Sequence, residues 1–296
     1  GRDHGRRRRL MSDIPRQPRD FPIGPFAKAA ERWFDDTQPR PEPTVPAQAA
    51  TVLLVRGEPV EVFMIERAAT MDFAPSTWVF PGGRVDPADL GVDDAPAHRL
   101  RSPAGGEQAW ADRLGVGHDE ALSVLVCALR ELFEEAGVLL ASEGDGDAIV
   151  DVATDEWRAR RTQVEAHEVS FTEAAAGLTL RGDLVEAVDR WITPAFESRR
   201  FDTWFLTALL PDGATADAVS RESQRGQWVR PEAMLAEAEA GRARLLPPTR
   251  TALERLSRAS SATEALEQAR GFHFLPTRPE LLKGPDGPYL HAEVNL

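Results

Sequence analysis

Residues 128–140 read ALRELFEEAGVLL, and this segment limits the fold more sharply than any other. Leu122, Leu125, Leu129, Phe133 and Ala136 recur at the spacing of one helical face, which predicts a single helix over Asp119–Ala136. Gly137 stands where a helix closes with a left-handed residue. At about 100° per residue, Glu131, Glu134 and Glu135 gather on the face opposite the apolar stripe. Like charges three or four residues apart repel by about 0.2–0.5 kcal/mol per pair in water. The cluster is therefore either an indifferent solvated face or a site built for a cation, and on this helix alone the first account is the simpler.

The rest of the chain supplies strands and helices for such a helix to pack on. AATVLLVR and VEVFMIER are β-rich runs around the turn Gly57-Glu58-Pro59, a predicted hairpin, and STWVFPGG adds a short strand entering a glycine loop. VDRWITP and RFDTWFLTALLP read as strands, DEWRARRTQVEAH and FTEAAAGL as helices, and QWVRPEAMLAEAEAGR as a strand end turning into a helix. PPTRTALERLSRAS is a further helix, with Thr251 and Glu254 at capping-box spacing. The mixture predicts an α/β or α+β class with a mixed sheet. Residues 12–47 hold eight prolines and one short helical stretch near GPFAKAAERWF, and read as an arm. Residues 87–118 lack sustained periodicity and read as an insertion or mobile loop, with a helical turn at EQAWADRLG. The closing segment, GFHFLPTRPELLKGPDGPYLHAEVNL, is expected to wrap the surface.

Charge narrows the partners. A net charge of −13 over 296 residues argues against a nucleic-acid polymer or an anionic membrane surface. A phosphorylated small molecule stays open, because a bound metal reverses the local sign of a site. Cys127 is the only cysteine, which rules out an intramolecular disulfide and fits a reducing, cytoplasmic setting. No run of 18 apolar residues suggests a membrane span. The opening GRDHGRRRRL is basic without an apolar run behind it, so it reads as a disordered tail rather than a secretory signal; Met11-Ser12-Asp13 reads as a start that would set residues 1–10 outside the native chain. The six histidines have no ligand spacing and are assigned no chemistry.

Gly82 and Gly83 of FPGG, followed later by Arg130-Glu131-Leu132-Phe133-Glu134-Glu135-Ala136-Gly137-Val138, resemble the Nudix box, G-x5-E-x7-R-E-U-x-E-E-x-G-U with U a bulky aliphatic residue. The second half matches at every specified position. Asp89 stands where the family usually has Glu, and residues 90–129 lie where the pattern has a seven-residue spacer. A long insertion at that point is similar to the coenzyme A diphosphatase branch. The resemblance implies a Nudix-type α/β/α sandwich with a mixed β-sheet, a box insertion and a C-terminal helical extension. The corresponding domain bounds are an N-terminal arm over 1–43, partly disordered, a Nudix domain over 44–258 with insertion 90–118, and an extension over 259–296. The insertion is open to three roles: lid, dimer contact within a homodimer, or specificity loop.

The implied activity is hydrolysis of a diphosphate linkage with Mg²⁺ or Mn²⁺. Hard divalent cations take oxygen ligands in octahedral geometry, and carboxylates at i, i+3 and i+4 on a packed helix offer them at fixed spacing. Glu131, Glu134 and Glu135 are the expected metal ligands, with the carbonyl of Gly82 completing the set. Arg130 is expected to orient a carboxylate, with Asp89 its partner, and one of the box glutamates or Glu222 to activate water. Glu222, ahead of WVRPEAM, is either a distal metal carboxylate or an ordinary loop residue, and Glu197 is a weaker competitor. Arg199 and Arg200 are either phosphate ligands or surface arginines. The coenzyme A pattern L-L-T-x-R-[SA]-x3-R-x3-G-x3-F-P-G-G is matched at Arg67 and Ala68, but Asp72 replaces its second Arg and Ser76 its Gly. Arg67 is thus an expected substrate ligand, and coenzyme A or acyl-coenzyme A the leading substrate. ADP-ribose, NADH or another nucleotide is the alternative, and a non-catalytic nucleotide sensor the more distant one.

Overall fold

The computed structural model describes residues 15–37, 39–40, 42–68, 76–90, 99–218 and 223–296. In chain order the strands are β1 (Arg16–Pro22), β2 (Ala47–Arg56), β3 (Glu61–Arg67), β4 (Trp78–Val79), β5 (Gly82–Arg84), β6 (Arg99–Arg101) and β7 (Ala141–Glu143). They continue with β8 (Leu178–Arg181), β9 (Val185–Ile192), β10 (Phe201–Leu209), β11 (Ser223–Val229), β12 (Glu280–Gly284) and β13 (Gly287–Asn295). The helices are α1 (Ala27–Trp33), α2 (Gly106–Leu114), α3 (His118–Ala136), α4 (Asp155–Glu165) and α5 (Phe171–Ala174), then α6 (Pro231–Glu239), α7 (Pro247–Leu256) and α8 (Ala262–Gly271).

The central sheet runs β11-β3-β2-β10-β9, with β4 on β3 and β5 on β2. It is mixed because β2 lies parallel to β10 while its other neighbours are antiparallel. Period-two alternation sends the strand residues to two separate cores. Ala50, Val52 and Leu54 of β2 join Phe63, Ile65, Trp204 and Leu206 against α2, α3 and α5. Leu53 and Val55 join Val62, Met64 and Phe205 on the other face, against α6, α7, α8 and Phe26. Helices thus cover both faces of one sheet, an α+β architecture with a three-layer centre.

α3 is the axis of the first core. Asp119 and Glu120 place negative charge in its first turn. At its end Gly137, at φ 67°, turns the chain left-handed and donates its N–H to Phe133. Of the two accounts of the acidic cluster, the indifferent solvated face fails here. Val124 to Phe133 are buried without interruption, so the glutamates sit in a cleft and not on a solvated surface.

Three peripheral segments are more ordered than their composition suggests. α2, inside the box insertion, buries Trp110, Ala111 and Leu114, and Trp110 Nε1 donates to the carbonyl of Ala121 at 3.0 Å. β6, from the same insertion, pairs in parallel with β8. The C-terminal segment does not simply wrap the surface: β12 and β13 form a hairpin, and β13 also pairs over its length with β1 from the N-terminal arm. Thr251 is not a helix cap, because α7 begins at Pro247 and Thr251 Oγ1 donates to the carbonyl of Pro247 at 3.0 Å. The capping box is instead at Ser170 and Glu173, ahead of α5.

Candidate active site

β5 brings Gly82 and Gly83 beside α3 by pairing Gly82 with Thr51 and Gly83 with Ala50. A β-carbon on Gly83 would come within 2.6 Å of Glu131 Cδ, so the absent side chain is what makes room for that carboxyl group. Gly82 donates its N–H to Glu135 Oε2 at 2.8 Å. The group of Gly82 facing the acidic trio in this way is its amide, whereas the expectation had assigned its carbonyl to the metal.

Arg130 organises the acids. Its Nε and Nη2 reach Asp89 Oδ1 and Oδ2 at 2.9 and 3.0 Å, a two-pronged pair inside the protein. Its Nη1 donates to Glu131 at 2.8 Å and Glu134 at 3.1 Å, and Nη2 also reaches the carbonyl of Arg84 at 2.9 Å. Asp89 is 2% exposed and Glu131 7%, so these contacts act in a poorly solvated setting. Burial alone would make Arg130 easier to deprotonate; Glu131 and Asp89 outweigh it and hold the guanidinium charged. Burial raises the Glu131 carboxyl to about 7 against the pull of Arg130, and nearby Glu134 adds to the rise. Glu134 is also raised, again by burial and against Arg130. The thiol of Cys127 is pushed well up by burial, leaving it an inert core group.

Three carboxylates around one guanidinium, with Glu135 beside them on the Gly82 amide, make a hard oxygen set, and the gap at Gly83 gives Glu131 room to turn, so the residues fit a Mg²⁺ or Mn²⁺ ion. Among the described residues no three ligand-type side chains already converge on one point. The reason is local: Arg130 draws Glu131 and Glu134 to itself, and the Gly82 amide draws Glu135.

The acids open into a cleft of about 510 Å³. Arg67, Arg84 and Arg199 line it, as do Glu165 and His167. The Nε of Arg67 is buried and lacks a hydrogen-bond partner among the described residues. Arg200 is not in the lining: its guanidinium donates to the carbonyls of Thr193 and Thr44, which gives it a structural role in place of the expected phosphate contact. Glu197 is also outside the lining, half-buried and raised by burial. Glu222 and Asp72 lie outside the described residues. Ser76, where the coenzyme A pattern has Gly, adopts φ 53°, the left-handed conformation that glycine favours. The sequence reading missed His167, at φ 55° just beyond α4, because a strained turn residue carries no periodic signal. It also missed the apolar half of the cleft, whose residues come from distant parts of the chain.

The family profile described as the NUDT19 Nudix domain matches residues 45–256. The chain belongs to the Nudix family. Among relatives of this Nudix chain, putative nudix hydrolase 7 of Caenorhabditis elegans is 31% identical over 212 residues, covering 71% of this chain and 60% of the worm protein. The chain thus spans about three fifths of that relative's length. Acyl-coenzyme A diphosphatase NUDT19 of Gallus gallus is 28% identical over 267 residues, covering 73% of this chain and 69% of its own. The Nudix hydrolase structure from Alicyclobacillus acidocaldarius aligns at TM-score 0.59 and 26% identity, covering 76% of this chain and 96% of that one. No helix among the described residues is long and apolar enough to cross a membrane.

Proposed function

We propose that this Nudix chain is a divalent-metal-dependent diphosphatase that cleaves the diphosphate linkage of coenzyme A or an acyl-coenzyme A. The observation that carries the reading is the buried knot of Asp89, Arg130, Glu131 and Glu134 beside Gly83, at the head of a cleft that also holds three arginines. The names of the relatives from Gallus gallus and Homo sapiens, acyl-coenzyme A diphosphatase, support this choice of substrate class.

Glu131, Glu134 and Glu135 are the residues that would hold Mg²⁺ or Mn²⁺, which supplies charge neutralisation on the diphosphate and acidifies the attacking water. Arg130 draws Glu131 and Glu134 together and offsets part of the cost of charging them in a buried place, while Asp89 fixes the guanidinium plane. Arg67, Arg84 and Arg199 bind phosphate oxygens and orient the linkage for attack. The water proton passes to a carboxylate of the trio, and the bond from the attacked phosphorus to the bridging oxygen breaks.

The test is hydrolysis of coenzyme A, acetyl-coenzyme A, ADP-ribose, NADH and a dinucleoside polyphosphate side by side, with Mg²⁺, with Mn²⁺ and with EDTA. Coenzyme A species should lead, and Glu134→Gln should abolish turnover. A higher kcat/KM for ADP-ribose or NADH would move the substrate assignment to nucleotides, and ligand binding without any hydrolysis would make the chain a sensor.

A further inference from the structure

The cleft has two unlike halves. Beyond the acids and arginines it runs along the second face of the central sheet, over Thr51, Thr203 and Phe205, to a wall made by Phe26, Trp191, Leu246, Pro279 and Leu290. Phe26, Pro279 and Leu290 lie outside the stretch 45–256 that carries the Nudix domain, so segments on both sides of that stretch contribute to this wall with Trp191 and Leu246.

The wall is held in place. β1 and β13 pair from Arg16↔Asn295 to Pro22↔Tyr289, with Phe21 opposite Leu290. Asp189, 2% exposed, accepts from Asn295 Nδ2 at 2.7 Å, Arg255 Nη2 at 2.9 Å and Trp191 Nε1 at 3.0 Å. One buried carboxylate thereby locks the last strand, α7 and the Trp191 ring together. Thr277 bridges to β9 on both sides, accepting from the Ile192 amide at 2.9 Å and donating to the Arg190 carbonyl at 2.7 Å, which sets Pro279 at the rim. Phe26 packs edge-on against Phe196 with ring centroids 6.4 Å apart. A rigid apolar lobe joined to a phosphate-binding head fits a ligand that has both parts.

We infer that this lobe is a binding site for the aliphatic tail of the substrate, an acyl chain carried as a thioester at the end of the arm that extends from the phosphorylated head. The inference rests on the diphosphatase reading for its head group, and the test separates the two. The full-length chain in EDTA is titrated calorimetrically with coenzyme A and its acetyl, hexanoyl and dodecanoyl thioesters. The same series, with ADP-ribose as a tail-less diphosphate, is then hydrolysed in Mg²⁺. Affinity in EDTA should rise with chain length by up to about fourfold per methylene, the value of burying one CH₂, and level off when the lobe is full. kcat/KM should follow the same profile.

Two variants locate the tail. Leu246 is the N-cap of α7 and half-buried, so Leu246→Asp replaces apolar wall with a residue type suited to that cap. Phe26→Ala removes wall from the opposite side. Both should cut the dodecanoyl-to-acetyl affinity ratio at least tenfold. A flat chain-length profile overturns the inference, and so does a rising profile that neither variant changes. Absence of turnover on every diphosphate would overturn the diphosphatase reading, while the titration in EDTA still decides the tail site.

Discussion

Gly83→Ala separates the site from the fold. The backbone of Gly83 lies in β5, paired with Ala50, and alanine is compatible with that conformation. The new methyl would stand 2.6 Å from Glu131 Cδ and 2.9 Å from its Oε2. Ordinary contacts between carbon atoms are about 3.5–4.0 Å, so the carboxyl group has to retreat by about 1 Å. It is the far end of a flexible side chain, and the strand itself need not move. A displacement of that size in a catalytic constellation costs about 10²-fold in rate. The expected outcome is kcat/KM down about a hundredfold with an unfolding midpoint within a few degrees of the parent. Gly82→Ala is the control, because its methyl would meet the Ala50 carbonyl at 2.6 Å and Thr51 Oγ1 at 2.5 Å. Overpacking against backbone should destabilise it by about 1–3 kcal/mol in denaturant titration. If Gly83→Ala keeps activity within twofold, Glu131 is not where the chemistry is, and the assignment of the trio fails.

Arg130→Met leaves Asp89, Glu131 and Glu134 buried without their shared cation, and should cost about 3–5 kcal/mol in urea unfolding. Stability of the metal-free chain should fall as pH rises from the ordinary carboxylate range toward about 7, because burial makes folded Glu131 hold its proton longer than the unfolded chain does. Glu131→Gln should flatten that slope, read from denaturation midpoints in EDTA. Added Mg²⁺ or Mn²⁺ should raise the stability of the parent by about 2.7 kcal/mol at a hundred times Kd, and Glu134→Gln should lose that gain in thermal melts. Asn295→Ala removes a donor from buried Asp189 and should cost about 1–3 kcal/mol, with β13 losing amide-exchange protection first.

The acidic half of the site was legible because its information is local. Arg130, Glu131, Glu134 and Glu135 lie within two turns of one helix, and a 3.6-residue period together with a capping glycine places them without knowledge of the rest. The Asp89 partner was readable only through the Nudix resemblance, from its place six positions after Gly83. What the period could not tell is that both sides of α3 are covered. The covering elements, α2, α4 and α5, come from segments whose own apolar pattern is weak, and α2 sits in a stretch rich in glycine, alanine and proline. Its burial depends on Trp110 finding the Ala121 carbonyl, a contact no composition count registers.

The apolar half was illegible for a different physical reason. Leu290 and Phe26 are separated by most of the chain; Leu290 lies where prolines and glycines argue for a loop, and Phe26 in a short helical stretch of a proline-rich arm that does not announce what it packs on. β13 is completed as a strand by pairing with β12 and with β1, and β1 has no alternation strong enough to announce itself, with two prolines among its seven residues. Tertiary pairing supplies what local propensity withholds, and it does so through a polar anchor: Asn295 on Asp189, far from any motif. The reaction class is read from α3 only together with the FPGG turn upstream of it. The apolar end of the cleft is built by contacts of high sequence separation, so the acidic end is visible in the sequence and the apolar end only in the folded molecule.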